Sequence, residues 1–194
     1  MKIRNLFLLA ASVLLIGRAA CAVTDDASTQ LKSWIDEVIA ASNHSKDRET
    51  LRINESPILE RSINFTIMTR RAVGPGWRQF TPEQQQEATK LFSTLIIRTY
   101  VAKITPGEIP SITLKSGNSP SPGHVEVPTS LLYKGSHYDV TYRLEFTDGW
   151  HITDVVIEGV SLIANYRTQF EAEFQQGGAT AVLKALNHSV ESKE

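Results

Sequence analysis

Residues 138–162 read YDVTYRLEFTDGWHITDVVIEGVSL, and the fold turns on this stretch. Its first nine residues alternate. Tyr138, Val140, Tyr142, Leu144 and Phe146 fall on one side, with Asp139, Thr141, Arg143 and Glu145 on the other. A period of two places successive side chains on opposite faces of a strand. Asp148-Gly149 is a hairpin signal, since both residue types tolerate a left-handed backbone. Trp150 to Ile157 is then the partner strand. From Gly159 to Gln176 the spacing becomes helical, with Leu162, Ile163, Tyr166, Phe170 and Phe174 on the apolar side. Gly177-Gly178 stops that helix, and a short last one is expected from Ala179 to Leu186.

Moving upstream, Gly135-Ser136 reads as a turn and Val125 to Tyr133 as another strand. Pro128 pushes that strand toward an edge or a bulge, because proline has no N–H to give a ladder. Ser116 to Gly123 (SGNSPSPG) reads as a loop, and Ile109 to Lys115 as a possible first strand. Before that loop the periodicity is helical. Thr81 is an N-cap, Pro82 occupies the first helical position, and Gln84 completes a capping box. Ala88, Leu91, Phe92, Leu95, Ile96 and Tyr100 form its apolar stripe, and Pro106-Gly107 ends it. Ile58 to Val73 is a further helical stretch, with Leu59, Ile63, Ile67 and Met68 on one face. Asp47 or Thr50 starts an earlier helix that Pro57 is expected to interrupt. Thr24-Asp25-Asp26 supplies caps for a first helix over residues 27–41. The expected fold class is α+β: helices, an antiparallel sheet of about four strands, then helices.

The chain opens with an export signal. Lys2 and Arg4 precede an apolar run from Leu6 to Ile16, and Ala20-Cys21-Ala22 forms a small-residue cleavage site. That run is too short to span a bilayer, which takes about 20 residues. Residues 1–22 are therefore read as a cleaved signal peptide and residues 23–194 as a single domain. Cys21 is the only cysteine, and a lipid-bearing terminus there is a competing reading, although Arg18 stands where a lipidation motif wants an aliphatic residue. Cleavage after Ala22 leaves 172 residues with 17 basic and 21 acidic side chains, one ordinary domain with a net charge near −4. A weakly acidic domain lacks the basic surface that nucleic acid demands. It also lacks the polybasic stretch that holds a protein on anionic lipid.

No catalytic signature stands out. No Gly-x-Ser-x-Gly occurs, and His124, His137 and His151, with Asp139, show no metal-ligand spacing. No cofactor and no metal are expected.

Two stretches carry a family resemblance. The first is Trp77-Arg78-Gln79-Phe80-Thr81-Pro82-Glu83-Gln84-Gln85, running on to Tyr100. The second is Trp150 to Leu162, followed by Asn165-Tyr166-Arg167 and Phe170. A strand ending in aspartate, then Glu-Gly-Val-Ser leading into a helix with Asn-Tyr-Arg, resembles the MlaC/toluene-tolerance family of periplasmic phospholipid-binding proteins. The resemblance implies an NTF2-like layer of helices on a curved sheet, with an apolar cavity between them. It implies a non-enzymatic carrier whose cargo is a phospholipid, working in the periplasm to maintain outer-membrane lipid asymmetry. The implied partners are an outer-membrane lipoprotein–porin complex and an inner-membrane ABC transporter complex with an MCE-domain subunit; a monomer is expected. A hopanoid-linked branch of the family is an alternative cargo class.

On that topology the candidate lipid-binding residues are Met68, Val73, Phe92, Leu95, Ile96, Tyr100, Tyr142, Leu144, Ile157 and Ile163, any of which can equally be plain core. Asp154, Glu158, Asn165 and Arg167 either meet a head group or partner, or hold the strand-to-helix turn together. The competing enzyme reading requires a cavity-facing carboxylate or histidine, for instance Asp154 beside Tyr142.

Overall fold

The computed structural model describes residues 8–101, 105–106, 108 and 110–192, with side chains from Val23 onward. The expected export segment, residues 1–22, falls outside the residues whose side chains are described. Helix α1 spans Leu8–Asn43, α2 Arg48–Ser62, α3 Phe65–Val73, α4 Pro82–Val101 and α5 Leu162–Glu191, with a 3₁₀ turn at Gly74–Gln79. Strands β1 Ser111–Leu114, β2 Asn118–Ser121, β3 His124–Tyr133, β4 Ser136–Phe146, β5 Trp150–Ile157 and β6 Val160–Ser161 form one curved antiparallel sheet. Its order is β1-β3-β4-β5-β6, with β2 beside β3 where β1 has ended. The domain is α+β, and the sheet carries six strands rather than about four, because β2 and β6 are too short to show a period.

Local chemistry explains most boundaries. Asp47 caps α2 by accepting the Thr50 N–H at 2.8 Å. Thr81 and Gln84 form the reciprocal capping box of α4: the Thr81 N–H donates to Gln84 Oε1 at 3.0 Å, and the Gln84 N–H to Thr81 Oγ1 at 3.3 Å. The β3–β4 turn uses Lys134 and Gly135, both with positive φ, so the two-residue hairpin matches the twist of its strands.

Expectations at four places along the chain are corrected. First, α2 runs through Pro57 instead of breaking there. The stretch expected as one helix over residues 58–73 breaks instead at Ile63-Asn64, where Ile63 is extended and bridges to Ile152. Asn64 then caps α3 by accepting the Ile67 N–H. Second, α1 begins at Leu8, so Thr24-Asp25-Asp26 lie inside it and are not caps; Asp26 accepts a hydrogen bond from the Trp150 indole at 2.9 Å. Third, Glu158 and Gly159 form a second two-residue positive-φ turn that pairs Ile157 with Val160, so α5 starts at Leu162 and not at Gly159. Fourth, the SGNSPSPG segment contains β2.

Pro128 sits inside β3, a strand flanked on both sides. Its carbonyl accepts the Lys115 N–H at 2.8 Å, so its nitrogen also points toward the β1 side. There β1 has just ended at Leu114 and β2 does not begin until Asn118, so no ladder bond is lost. The helix stop expected at Gly177-Gly178 is present: both glycines leave helical geometry, Gly178 with φ 63° and ψ −149°, so α5 is two helical segments meeting at a kink.

Two apolar clusters hold the layers together. One joins α2, α3, α4 and α5 through Leu51, Met68, Phe92, Leu95, Phe170 and Leu186. The other joins α1 to the sheet through Leu31, Trp34, Val125, Val127, Leu144 and Ile152. Ile63 packs against both.

Candidate functional site

Strand register decides which side chains face the helices. Leu144 lies between Val125 and Ile152, Tyr142 between Val127 and Val155, and Val140 between Thr129 and Ile157; Tyr138 pairs with Leu131. These rows share one face. A β-bulge makes the β5 part possible. Between Arg143/Leu144 and Asp154/Ile152 the extra residue Thr153 shifts the register, so Ile152 and Val155 face inward although they are three apart.

Helix α1 covers only the first rows. Ala27, Leu31, Trp34 and Ile35 pack with Val125, Val127, Leu144 and Ile152. Beyond them the inner face runs on through Val140, Tyr138, Leu131 and Ile157, and burial falls away: Val140 is 7% exposed, Tyr138 38% and Ile157 47%. The sheet thus has a sealed half and an open half.

Tyr100 lies near the end of α4. Its surface is 37% accessible, yet burial pushes its hydroxyl well above the ordinary range, with Tyr142 and Glu55 adding to the effect. Tyr142 shows the same pairing: it is only partly buried, and burial holds its hydroxyl at about 12. Glu55 on α2, Tyr100 on α4 and Tyr142 on β4 are near enough for the first and last to raise the Tyr100 hydroxyl. Shallow grooves also lie on the outer faces of α1, beside Lys32 and Asp36, and of α5, beside Glu173 and Lys184. These are open surface features, and neither is lined by Tyr100 or Tyr142.

Glu55 was not expected here. It is fully buried on the inward stripe of α2, four residues from Leu51 on one side and from Leu59 on the other. Neither carboxyl oxygen has a hydrogen-bond partner, and burial raises its pKa to about 7. The signal in the sequence was a glutamate at i+4 and i−4 from two core leucines, a pattern that a single sequence does not separate from a solvated helix face.

The ten sequence candidates divide by position. Met68, Val73, Phe92, Leu95, Ile96 and Ile163 belong to the helix cluster. Phe92 is enclosed by aromatic rings, 5.0 Å from Tyr166 and 5.7 Å from Phe170, both edge-on. Leu144 lies in the cluster under α1, and Tyr142 packs at its margin. Ile157 is on the open half. Tyr100 and Tyr142 are near enough to influence one another; Val140, Tyr138 and Leu131 join the inner face without having been singled out as candidates.

The polar candidates sit on the other side of the sheet or at its end. Asp154 accepts from Ser161 Oγ at 2.7 Å, from the Ile163 N–H at 3.2 Å and from Arg143 at 3.0 Å. It thereby ties β4 and β5 to the start of α5, whose N-cap is Ser161. Asp154 pairs with Arg143 while Tyr142 pairs with Val155, so Asp154 and Tyr142 face opposite sides of the sheet. The acid–phenol pair that the enzyme reading named is not assembled. Glu158 accepts the Asp139 N–H and pins the start of β4. Asn165 accepts from Gln169 on the exposed side of α5, and Arg167 lies against Gly74, where an added Cβ would come within 3.1 Å of its guanidinium. His124 and His151 flank Glu145 across the outer strands, and His137 lies near the far end of β4. Among the described residues no three His, Cys, Asp or Glu side chains converge, and no helix is long and apolar enough to cross a membrane.

The site is thus the apolar inner face of a curved antiparallel sheet under a helical layer, covered by α1 at one end and exposed at Tyr138 and Ile157 at the other. Residues 32–188 match the family described as MlaC protein, and the chain belongs to that family. Among solved structures it is similar to a phospholipid-binding protein from Ralstonia solanacearum, determined in complex with a phospholipid. The TM-score is 0.79 at 24% identity, covering 87% of this chain and 98% of that one. No curated protein matches.

Proposed function

We propose that the chain is a periplasmic phospholipid carrier, exported by way of residues 1–22. It would take lipid from one membrane complex and hand it to another, and so maintain outer-membrane lipid asymmetry. The observation that carries this reading is the apolar inner face of the sheet, which α1 covers only in part and which is exposed at Tyr138 and Ile157. Membership of the MlaC family, and the phospholipid held by the Ralstonia solanacearum protein, support it.

The physical requirement is simple. Burying a methylene gains about 0.8 kcal/mol, so an acyl chain of about 16 carbons costs on the order of 12 kcal/mol to expose to water. A carrier must supply an apolar wall of comparable area and needs no nucleophile. The open end of the sheet supplies an entrance, and the charged head group remains there in water. The partners in this reading are an outer-membrane lipoprotein–porin complex and an inner-membrane ABC transporter complex with an MCE-domain subunit. The protein acts as a monomer.

Native mass spectrometry of the exported protein, followed by lipid extraction, tests the reading. One phospholipid per chain is the expected result. A hopanoid-type lipid would reassign the cargo, and a protein that neither carries nor takes up phospholipid would sink the proposal. One observation favours an enzyme as the second reading: Glu55 is a carboxyl group in the interior with a raised pKa. Chemical change of a bound lipid on incubation would establish it; unchanged lipid recovered after days would remove it.

A further inference from the structure

Arginines that reach from one element to another find carboxylates in this protein. Arg61 meets Glu37, Arg71 meets Glu145, and Arg143 meets Glu126 and Asp154. Arg70, Arg78 and Arg167 differ. Each is exposed, and among the described residues none has a carboxylate or another hydrogen-bond acceptor as partner. Glu171, one turn further along α5, makes no ion pair with Arg167.

The fold gathers these three around one turn. Arg167 shares a face of α5 with Ile163, Phe170 and Phe174, which pack into the helix cluster. Its guanidinium reaches Gly74, where an added Cβ would come within 3.1 Å of Nε. Phe174 meets Gly76 in the same way, with its ring 2.8 Å from an added Cβ. Two glycines therefore seat α5 tightly on the 3₁₀ turn and fix where the guanidinium emerges. Arg70 stands one helical turn before Gly74, whose N–H donates to the Arg70 carbonyl. The adjacent Arg71 is the one that pairs with Glu145 on the sheet, while Arg70 stays exposed. Arg78 lies in the last turn of the 3₁₀ segment that Gly74 opens.

One cation at the end of α3 complements the helix dipole. Three guanidinium groups exceed that need and repel one another. They also stand out from a mature chain whose net charge is near −4. A guanidinium is a planar fork of N–H donors that fits a carboxylate with two parallel hydrogen bonds. An anionic bilayer is the poorer match, because lipid-binding clusters carry about four to eight basic residues, and the acidic remainder of the domain would be repelled.

We propose that Arg70, Arg78 and Arg167 form a docking site for an acidic surface of a partner protein, whose carboxylates pair with the three guanidinium groups. The site is independent of what the cargo is. Arg167, held in place by the turn, sets the register of the partner, and the three charges together steer its approach.

The test titrates a fluorescein-labelled peptide of alternating glutamate and glycine with the exported protein, followed by fluorescence anisotropy at low and at physiological salt. Arg167→Ala should weaken binding by about tenfold, the scale of one charge-assisted hydrogen-bonded pair. The double variant Arg70→Glu, Arg78→Glu should abolish it; both side chains are exposed and lose no partner, so circular dichroism should show an unchanged fold. Arg48→Ala removes an exposed arginine at the start of α2 and should leave binding as it is. No binding by the wild-type protein, an equal loss in Arg48→Ala, or full binding by the double variant would overturn the inference. Vesicles of phosphatidylglycerol address the other occupant. Vesicle binding that the double variant loses while peptide binding persists would assign the cluster to membrane lipid and overturn the protein partner.

Discussion

Two buried carboxyl groups, Asp154 and Glu55, show how differently one chemistry is used at the residue scale. Asp154 holds a turn together with donors from Arg143, Ser161 and the α5 backbone. Glu55 holds nothing, and its position costs stability. Its pKa of about 7 lies above the ordinary value of 4.5, so ionisation is harder in the folded protein than in the unfolded chain. The sign follows: the full stability is present below about pH 4.5, falls as pH rises toward 7, and levels off above it. Urea denaturation of the wild-type protein at pH 4.5 and pH 8 should show that fall, and Glu55→Gln should flatten the part due to this group. Glu55→Leu should stabilise the protein by about 1–3 kcal/mol at pH 8, because replacing an unpaired buried polar group removes its desolvation penalty. A less stable Glu55→Leu protein would mean that the carboxyl has a partner after all. Asp154 was legible in the sequence because strand, turn and helix meet around it. Glu55 was not, because nothing in the helical spacing of Asn54-Glu55-Ser56-Pro57-Ile58-Leu59 tells which turn of α2 faces the interior; only the packed layers do.

Elements follow their local chemistry closely where capping or turn residues are involved. The Thr81/Gln84 box starts α4, and Thr81→Ala should cost about 1 kcal/mol in chemical denaturation. Combining it with Gln84→Ala should cost less than the two singles added, since the two side chains serve one reciprocal cap. At the α5 kink, Gly178 adopts a backbone conformation that other residues avoid, with nothing within 4 Å of an added Cβ. Gly178→Ala should therefore destabilise through backbone strain alone, by about 1–3 kcal/mol, and the drop in Tm measures it. These signals were readable because each is contained within a few residues. The expectations that needed correction depended on distant partners. The chain breaks at Ile63-Asn64 to let Ile63 bridge Ile152, and Asn64 donates to the Ile152 carbonyl at 3.0 Å, 88 positions away by number. Pro57 is carried inside α2 despite its missing N–H, a loss that packing of Leu51, Ile58 and Leu59 against the core offsets.

For the whole molecule, the consequence of the proposed carrier role is that stability and cargo are linked. A ligand that binds only the folded state adds about 2.7 kcal/mol at a hundredfold excess over its Kd. Protein stripped of lipid should melt several degrees lower than protein as exported, and added phospholipid should restore the difference; equal Tm values would argue against a ligand-lined interior. The sequence by itself determined the α+β class, the Asp47 and Thr81/Gln84 caps, the break at Gly177-Gly178 and membership of the MlaC family, because each rests on residue types a short distance apart. Tertiary structure alone decided that α1 seals one half of the sheet and leaves the other open, that the Thr153 bulge turns Asp154 away from Tyr142, and that Glu55 comes to lie near Tyr100. Those facts depend on the register between strands and on where one layer ends over another. Amphipathic periodicity states that a face is buried, and it is silent on whether protein or an empty span of apolar wall lies opposite.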